Sequence, residues 1–231
     1  MKFSAPLKKA KILKRYKRFL SDLVFEGEEI CAHVPNTGSM TTCWAENWDV
    51  YISKSDNPKR KLKYTLELTD NGESLICVNT SLTNKIVAEA LEERTIKELP
   101  AYEEVKSEVK VHDSRLDFML TTTEDKKIYI EVKNVTLKGH DGYALFPDAV
   151  STRGQKHLKD LIKLKQEGHN AVMLYVINRE DVERFAPAED IDSEYSQLLK
   201  EASKQGVQVL AYQCKLSPEE IVLHRPLPIE L

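Results

Sequence analysis

Glycine, proline and cysteine are scarce in this sequence, which contains 8, 9 and 4 of them among 231 residues. The low glycine and proline contents exclude a collagen-like chain and a Pro/Gly-rich low-complexity chain. The longest apolar run, residues 171–177, is far shorter than the roughly 20 residues that a membrane-spanning helix needs. Because 41% of the residues are hydrophobic, the chain can form the core of one large domain or two small ones.

The four cysteines, Cys31, Cys43, Cys77 and Cys214, form neither a C-x-x-C pair nor a Cys/His knuckle. Their spacing therefore predicts no disulfide framework and no structural zinc site, and four reduced thiols are expected. No apolar stretch of roughly 7–15 residues follows the basic N-terminus, so no secretory signal is predicted. We expect a cytoplasmic protein that does not interact with membranes.

Charge is distributed unevenly along the chain, although the net charge is only -3. Residues 1–20 contain eight lysines and arginines and no acidic residue, and a second basic cluster covers residues 54–63. Two such clusters in one small region favour a polyanion partner, and solvated basic residues are the alternative. The candidate nucleic-acid-binding residues of these clusters are Lys14, Arg15, Lys17, Arg18, Lys59, Arg60 and Lys61.

The first 80 residues have the pattern of a small all-β domain. Short runs rich in β-branched or aromatic residues predict strands at 19–25, 29–34, 49–53, 64–68 and 75–78. Turn signals such as Asp70-Asn71-Gly72 separate these runs. Five strands with basic flanks predict an OB-like β-barrel that binds nucleic acid, over residues 1–82.

After residue 80 the pattern changes to helix, since Leu82, Ile86 and Leu91 recur at helical spacing. The remaining periodicities predict the order α-β-β-β-α-β-α-β over residues 83–231. The fold class is therefore a two-domain α+β protein, with a β-barrel followed by an α/β domain.

The most informative segment is a predicted hairpin, in which residues 115–121 and 127–135 are strands joined by a polar loop. A turn centred on Glu124 places Asp117 opposite Glu131 and Arg115 opposite Lys133. Alternation assigns the other face to apolar residues, namely Leu116, Phe118, Leu120, Ile128, Ile130 and Val132.

Two adjacent carboxylates repel each other unless a cation lies between them, and hard oxygen ligands suit Mg²⁺ or Mn²⁺. Asp117 and Glu131 are therefore candidate metal ligands, and Lys133 can orient a water or stabilise developing charge. Together they have the composition of a metal-dependent phosphodiesterase site. The alternative is an amphipathic hairpin with surface ion pairs, because the tripeptide Glu-x-Lys also starts at positions 104, 108 and 124.

Neighbouring segments supply further candidates. Glu89, on the helix before the hairpin, is a possible third acidic ligand, or a solvated helix glutamate. Arg153, Gln155 and Lys156 open the next predicted helix, where side chains and amides can meet phosphate. A well-capped, solvated helix start explains them equally. His140 and His157 are candidate ligands or bases, although isolated histidines are more often structural.

Seven longer sequence segments then indicate a resemblance to a known family. The segments 3–7, 15–20, 33–38, 76–80, 114–120, 129–137 and 146–158 resemble those of the sugar fermentation stimulation protein A family, and Asp117, Glu131 and Lys133 resemble the PD-(D/E)xK nuclease triad. The first resemblance spans essentially the whole chain. It implies an N-terminal OB-like domain and a C-terminal PD-(D/E)xK nuclease-like domain.

The resemblance also implies functional properties. Asp117, Glu131 and Lys133 would occupy the catalytic positions, with Glu89 as the first-helix acid and Gln155 on the following helix. The implied partner is DNA, bound without strong sequence preference. We expect single-stranded DNA as a candidate form of this partner and a nucleoid-associated location, and a homodimer is compatible with the sequence. Two functions stay open, a Mg²⁺- or Mn²⁺-dependent nuclease and a non-catalytic DNA-binding regulator of sugar (maltose) metabolism genes.

A third interpretation concerns the turn at residues 33–38. His33, Asn36, Thr37 and Gly38 are candidates for a small-molecule site that couples sugar status to DNA binding. A polar turn is needed there in any case to end a strand, and this plainer explanation is preferred.

Overall fold

The computed structural model describes residues 1–231 and has six strands in its N-terminal part. They are β1 (Lys8–Tyr16), β2 (Leu20–Phe25), β3 (Glu28–His33), β4 (Asp49–Lys54), β5 (Tyr64–Asp70) and β6 (Leu75–Cys77). Their order is β3-β2-β1-β4-β5-β6, and a parallel contact between β3 and β5 closes the first five strands into a barrel. Buried apolar residues, among them Ile12, Leu23 and Leu66, fill its interior. The predicted barrel is confirmed.

Strand β1 is absent from the sequence-based prediction. Ala10 and Ile12 face the barrel core, whereas the lysines on either side of them, Lys9 and Lys11, are exposed. Each of these lysines contacts Asp49 at 2.8 Å. The lysines conceal a weak period-two alternation, which is why this segment has the appearance of a basic tail.

The C-terminal part begins with a 3₁₀ turn, Thr80–Leu82, and contains the predicted order of helices and strands. Its elements are α1 (Thr83–Glu92), β7 (Tyr102–Val111), β8 (Ser114–Thr122), β9 (Lys127–Val135), β10 (Leu137–Lys138), β11 (Tyr143–Phe146), α2 (Thr152–Gln166), β12 (Asn170–Ile177), β13 (Arg184–Pro187), α3 (Ser193–Lys204), β14 (Gln208–Leu216) and β15 (Ile221–Pro226). The strands β10, β11, β13 and β15 are additional to the prediction. The first three form a small separate sheet and are too short to show a periodicity.

The main sheet has the order β15-β14-β12-β9-β8-β7, with β9, β12 and β14 parallel. Alternate residues of the central strand β12 serve two cores. Val172, Leu174 and Val176 pack toward α1 and the barrel, whereas Met173 and Tyr175 pack toward α2 and α3. Because residues of the barrel part, Leu68 and Cys77 among them, pack on the same face as α1, the two parts of the chain share this core, whereas the barrel interior is a separate core.

Two of the sequence-based exclusions can be compared directly with the structure. All four cysteines are free thiols, and three of them are buried. None of the three helices combines the length and hydropathy that a membrane crossing requires.

Candidate active site

The site lies where two strands of the main sheet separate. Strands β8 and β9 pair from Thr121 with Lys127 to Phe118 with Ile130, in the predicted register, and the pairing ends there. Beyond this fork β8 pairs only with β7, and β9 only with β12. The backbone N–H of Val132 thereby loses its strand partner, and it donates instead to Asp117 Oδ2 at 2.8 Å. The fork therefore places the Asp117 carboxylate directly against strand β9.

Because of this fork, two predicted features of the hairpin are wrong. Arg115 does not face Lys133, because it lies on the diverged part of β8 and pairs with Glu108 at 2.7 Å. Leu116 packs in the core beneath α2 and α3, whereas Phe118 packs toward α1. Strict alternation fails here because β8 turns away from β9.

Helix α1 supplies a contact that sequence reasoning missed. Asn84 Nδ2 donates to Asp117 Oδ1 at 2.7 Å, so both oxygens of this carboxylate have a donor. Burial and the negative charge of Glu131 nevertheless raise the pKa of Asp117. The carboxylate is held in place by neutral donors while the repulsion from Glu131 persists. The charge of Lys133 lowers the pKa of Asp117, but burial and Glu131 outweigh it.

Glu131, Lys133 and His157 form a buried cluster on the α2 side of the sheet. Lys133 Nζ donates to Glu131 Oε1 at 2.7 Å and lies 3.2 Å from His157 Nδ1. His157 Nδ1, on α2, also contacts Glu131 Oε1. Burial would raise the pKa of Glu131, but the contact with His157 and the charge of Lys133 outweigh it and lower this pKa. Glu131 therefore carries its charge inside the protein.

This cluster excludes the alternative of exposed surface ion pairs, because Glu131 is only 3% exposed. Its second oxygen, Oε2, is buried and has no hydrogen-bond partner. An unpaired, buried carboxylate oxygen is unfavourable in free energy and is well suited to a cation. No group of three or more His, Cys, Asp or Glu side chains forms a complete cage. Two carboxylates with open positions suit Mg²⁺, which keeps waters and substrate oxygens among its ligands.

A cavity of about 430 Å³ opens beside these residues and is walled by both parts of the chain. Asp117, Glu131 and Lys133 line one wall. Asn36, Thr37 and Gly38 of the barrel part, together with Thr80, Asp148 and Arg153 of the C-terminal part, line the others. The site is therefore a cleft between the barrel and the α/β part.

The turn at residues 36–38 follows strand β3, and the hydrogen bonds of Asn36 stabilise this turn, as expected from its polar sequence. Asn36 Oδ1 accepts from the Gly38 N–H at 2.8 Å, and its Nδ2 donates to Val78 O at 3.1 Å. The turn nevertheless lines the cleft, whereas His33 is not among the lining residues. A side chain at position 38 would collide with Asp148, because an added Cβ would come within 2.3 Å of its Oδ2. Glycine at position 38 therefore allows the Asp148 carboxylate to approach the backbone of this turn closely.

The structure does not bring Glu89 to the carboxylate pair. Its carboxylate accepts from the N-terminal ammonium of Met1 at 2.7 Å, in a separate groove near β15. A helix turns about 100° per residue, so position 89 lies about 140° around the axis from Asn84, which faces Asp117. The assignment of Glu89 as the third acid is thus corrected, and Asn84 occupies the α1 position beside the pair.

The start of α2 is also used differently from the prediction. Gln155 Nε2 donates to Asp192 Oδ1 at 2.9 Å and is buried, so it does not reach the cleft. Lys156 contacts Asp160 at 3.2 Å instead. Of the three predicted residues, only Arg153 lines the cleft.

The basic residues of the barrel have different roles. Arg15 is a structural residue, because its guanidinium donates to four backbone carbonyls of neighbouring loops. Lys14 pairs with Asp22 at 3.0 Å. Lys17 and Arg18 are exposed and make no ion pair. In the second cluster Lys59 and Lys61 are exposed, and Arg60 donates to Thr65 Oγ1 at 2.6 Å.

Comparisons with known proteins agree with this architecture. Residues 81–220 match the family model described as the sugar fermentation stimulation protein RE domain, and residues 13–78 match the SfsA N-terminal OB domain. These matches confirm the fold class, an OB barrel followed by a restriction-endonuclease-like domain.

Relatives match over the full length of the chain. It is 46% identical to a sugar fermentation stimulation protein homolog of Marinomonas sp., over 99% of this chain and 90% of the relative. It is 47% identical to the homolog of Pseudoalteromonas translucida, over 99% of both chains. The structure of Pyrococcus furiosus SfsA in complex with Ca²⁺ superimposes with a TM-score of 0.88 and 29% identity, over 100% of this chain and 98% of that one. On this evidence the chain belongs to the sugar fermentation stimulation protein family.

Proposed function

We propose that this protein is a metal-dependent nuclease that binds DNA and cleaves phosphodiester bonds in the cleft between its two domains. The observation that carries the proposal is that Glu131, whose buried Oε2 has no hydrogen-bond partner, lines the same cleft as Asp117. The metal in the Pyrococcus furiosus relative is Ca²⁺. For cleavage we propose Mg²⁺ or Mn²⁺, held by Asp117 and Glu131.

Each residue of the site has a separate task in this proposal. When bound, the metal polarises a phosphoryl oxygen and lowers the pKa of a water. Asn84 and the Val132 N–H keep both oxygens of Asp117 in place. Lys133 is held by Glu131 and His157, and its ammonium stabilises negative charge that develops at the phosphate. Arg153, in the cleft wall, binds a flanking phosphate.

The alternative function is a non-catalytic DNA-binding regulator with a retained nuclease fold. It is favoured by the position of Glu89, because no third acidic side chain is grouped with Asp117 and Glu131, although Asp148 also lines the cleft. Both functions place the protein on DNA, and hence with the nucleoid in the cytoplasm. They differ in whether a divalent ion produces turnover.

A cleavage assay separates the two functions. End-labelled single- and double-stranded DNA and RNA are incubated with Mg²⁺, Mn²⁺ or EDTA, with wild type beside Lys133→Ala. We expect metal-dependent products from wild-type protein, reduced by about 10²–10³-fold in the variant, which lacks one group that stabilises the transition state. Bound but intact nucleic acid in every wild-type lane would establish the regulator instead.

A salt titration tests the basic surface independently of cleavage. Lys17 and Arg18 are exposed and make no ion pair. The double variant Lys17→Ala with Arg18→Ala is therefore expected to make the negative slope of log K against log salt shallower by about 1.4–1.8. Lys14→Ala is the matched control, because Lys14 already pairs with Asp22 and should change the slope less. Equal slopes for wild type and the double variant would remove these two residues from the interface.

A further inference from the structure

The turn between β1 and β2 has an uncommon backbone conformation for the residues it contains. Lys17 and Arg18 have φ values of 48° and 64°, in the left-handed region. Tyr16 pairs with Leu20, so three residues connect the strands, namely Lys17, Arg18 and Phe19. Side chains with a Cβ are disfavoured at positive φ, where glycine and asparagine are the common residues. Two long cationic residues therefore occupy a turn in which smaller residues are more stable. Such strain points to a role for the side chains that the turn presents.

The next residue, Phe19, is a large apolar side chain that the fold leaves in solvent. It is 45% exposed, the most exposed aromatic ring of the protein. Phe19 sits directly after two cations that make no ion pair. An aromatic face beside free positive charge is the combination that binds single-stranded nucleic acid, by base stacking together with phosphate contacts.

Arg15 connects this turn to the cleft. Its Nη2 donates to Arg18 O at 2.8 Å, and to Asn36 O and Gly38 O at 3.0 Å each. One guanidinium nitrogen thus joins the hairpin tip to the segment that forms the barrel-side wall of the cleft. The hairpin tip and the cleft wall are therefore adjacent parts of one surface.

We propose that this hairpin tip is a single-strand platform, on which an unpaired base stacks on Phe19 while adjacent phosphates contact Lys17 and Arg18. The platform guides the strand past the turn at residues 36–38 toward Asp117 and Glu131. This inference rests on the proposed function to the extent that nucleic acid is the ligand, and it names single strands as the preferred class. Bases inside a duplex are already stacked on one another and offer no free face to Phe19.

The test measures binding in EDTA, so that cleavage plays no part. Labelled single-stranded DNA, an abasic strand of the same length and the corresponding blunt duplex are titrated with wild type, Phe19→Ala and Phe19→Trp. Phe19→Ala is expected to weaken single-strand binding at least about fivefold, which is the lower end of one base–aromatic stack. Phe19→Trp should retain affinity, and the alanine variant should bind the abasic strand and the duplex like wild type. Ile191→Ala is the matched control, since Ile191 is also an exposed apolar side chain, at 37%, and no change is expected.

Each outcome decides for or against the platform. An equal loss on all three ligands would mean that Phe19 acts through folding or charge rather than stacking, and unchanged single-strand binding by folded Phe19→Ala would also overturn the proposal. A protein that never cleaves but shows the base-dependent loss would refute the nuclease and leave the platform intact. A protein that cleaves nucleic acid, but whose single-strand binding does not depend on Phe19, would refute the platform and leave the proposed nuclease intact.

Discussion

The double variant Asp117→Asn with Glu131→Gln is expected to lose metal-dependent cleavage by a factor of at least about 10³, because both proposed metal ligands lose their charge. Its affinity for nucleic acid measured in EDTA is expected to stay within about twofold of wild type, since phosphate contacts to basic residues dominate such binding. Cleavage rates under single-turnover conditions and binding by fluorescence anisotropy measure the two effects separately.

Glu124→Gln is the matched control for this variant. Glu124 is an exposed carboxylate in the turn of the same hairpin, where it pairs only with Lys126, and its removal should leave cleavage unchanged. Calorimetry with Mn²⁺ gives a second measurement, in which wild type should bind the ion and the double variant should not. Cleavage that persists in the double variant would place the reaction outside this cleft.

The hairpin could be predicted from the sequence because its information is local. A polar loop of four residues fixes the register of two alternating strands, and Asp117 and Glu131 follow from that register. The fork between β8 and β9 could not be predicted, since it depends on the sheet partners on the outer edges of the hairpin. Strand β8 stays paired with β7 as far as Ser114, and β9 stays paired with β12 as far as Val135, while the two strands separate from each other. The distinction matters because the fork, and not the register, brings Asp117 to the Val132 N–H.

The residues around the pair depend on contacts that are distant in sequence. Choosing between Glu89 and Asn84 requires the rotation of α1 against the sheet, which is set by packing of its apolar face in the shared core. An acidic side chain is the more common metal ligand, and the sequence pattern therefore favours Glu89 over the amide of Asn84. Similarly, Arg15 counts as one positive charge in a basic cluster until the fold surrounds its guanidinium with carbonyls.

The second large effect is expected at the contact between the barrel and the α/β domain. Arg179 is 1% exposed, and its guanidinium forms a two-pronged pair with Asp181 at 2.7 and 2.8 Å. The same guanidinium donates to Thr42 of the barrel and to Thr136 O in the cleft wall. Asp181 also accepts from Lys138 at 2.8 Å and from Asn71 of the barrel at 2.9 Å. This network fixes one domain against the other beside the site.

Asp181→Asn should therefore destabilise the protein by about 3–5 kcal/mol, because it leaves a buried guanidinium without its counter-charge. Urea unfolding at neutral pH measures this change in the free energy of unfolding. Lys138→Met is the control. It removes a partner that is 29% exposed, and a loss below about 1 kcal/mol is expected. If Asp181→Asn costs as little as the control, Arg179 must be compensated by its carbonyl acceptors alone.

The pH dependence of stability gives the same network an independent test. Burial alone would raise the pKa of Asp181, but its hydrogen bonds with Arg179 and Lys138 outweigh burial and hold this pKa well below its usual value. The unfolded chain then binds the proton more readily than the folded one, so the contribution is complete above about pH 3.9, the pKa of a free aspartate, and is lost as the pH falls below it. Wild type should lose stability over this range more steeply than Asp181→Asn, whose amide does not titrate. Parallel acid-unfolding profiles for the two proteins would show that the Asp181 charge does not stabilise the contact between the domains.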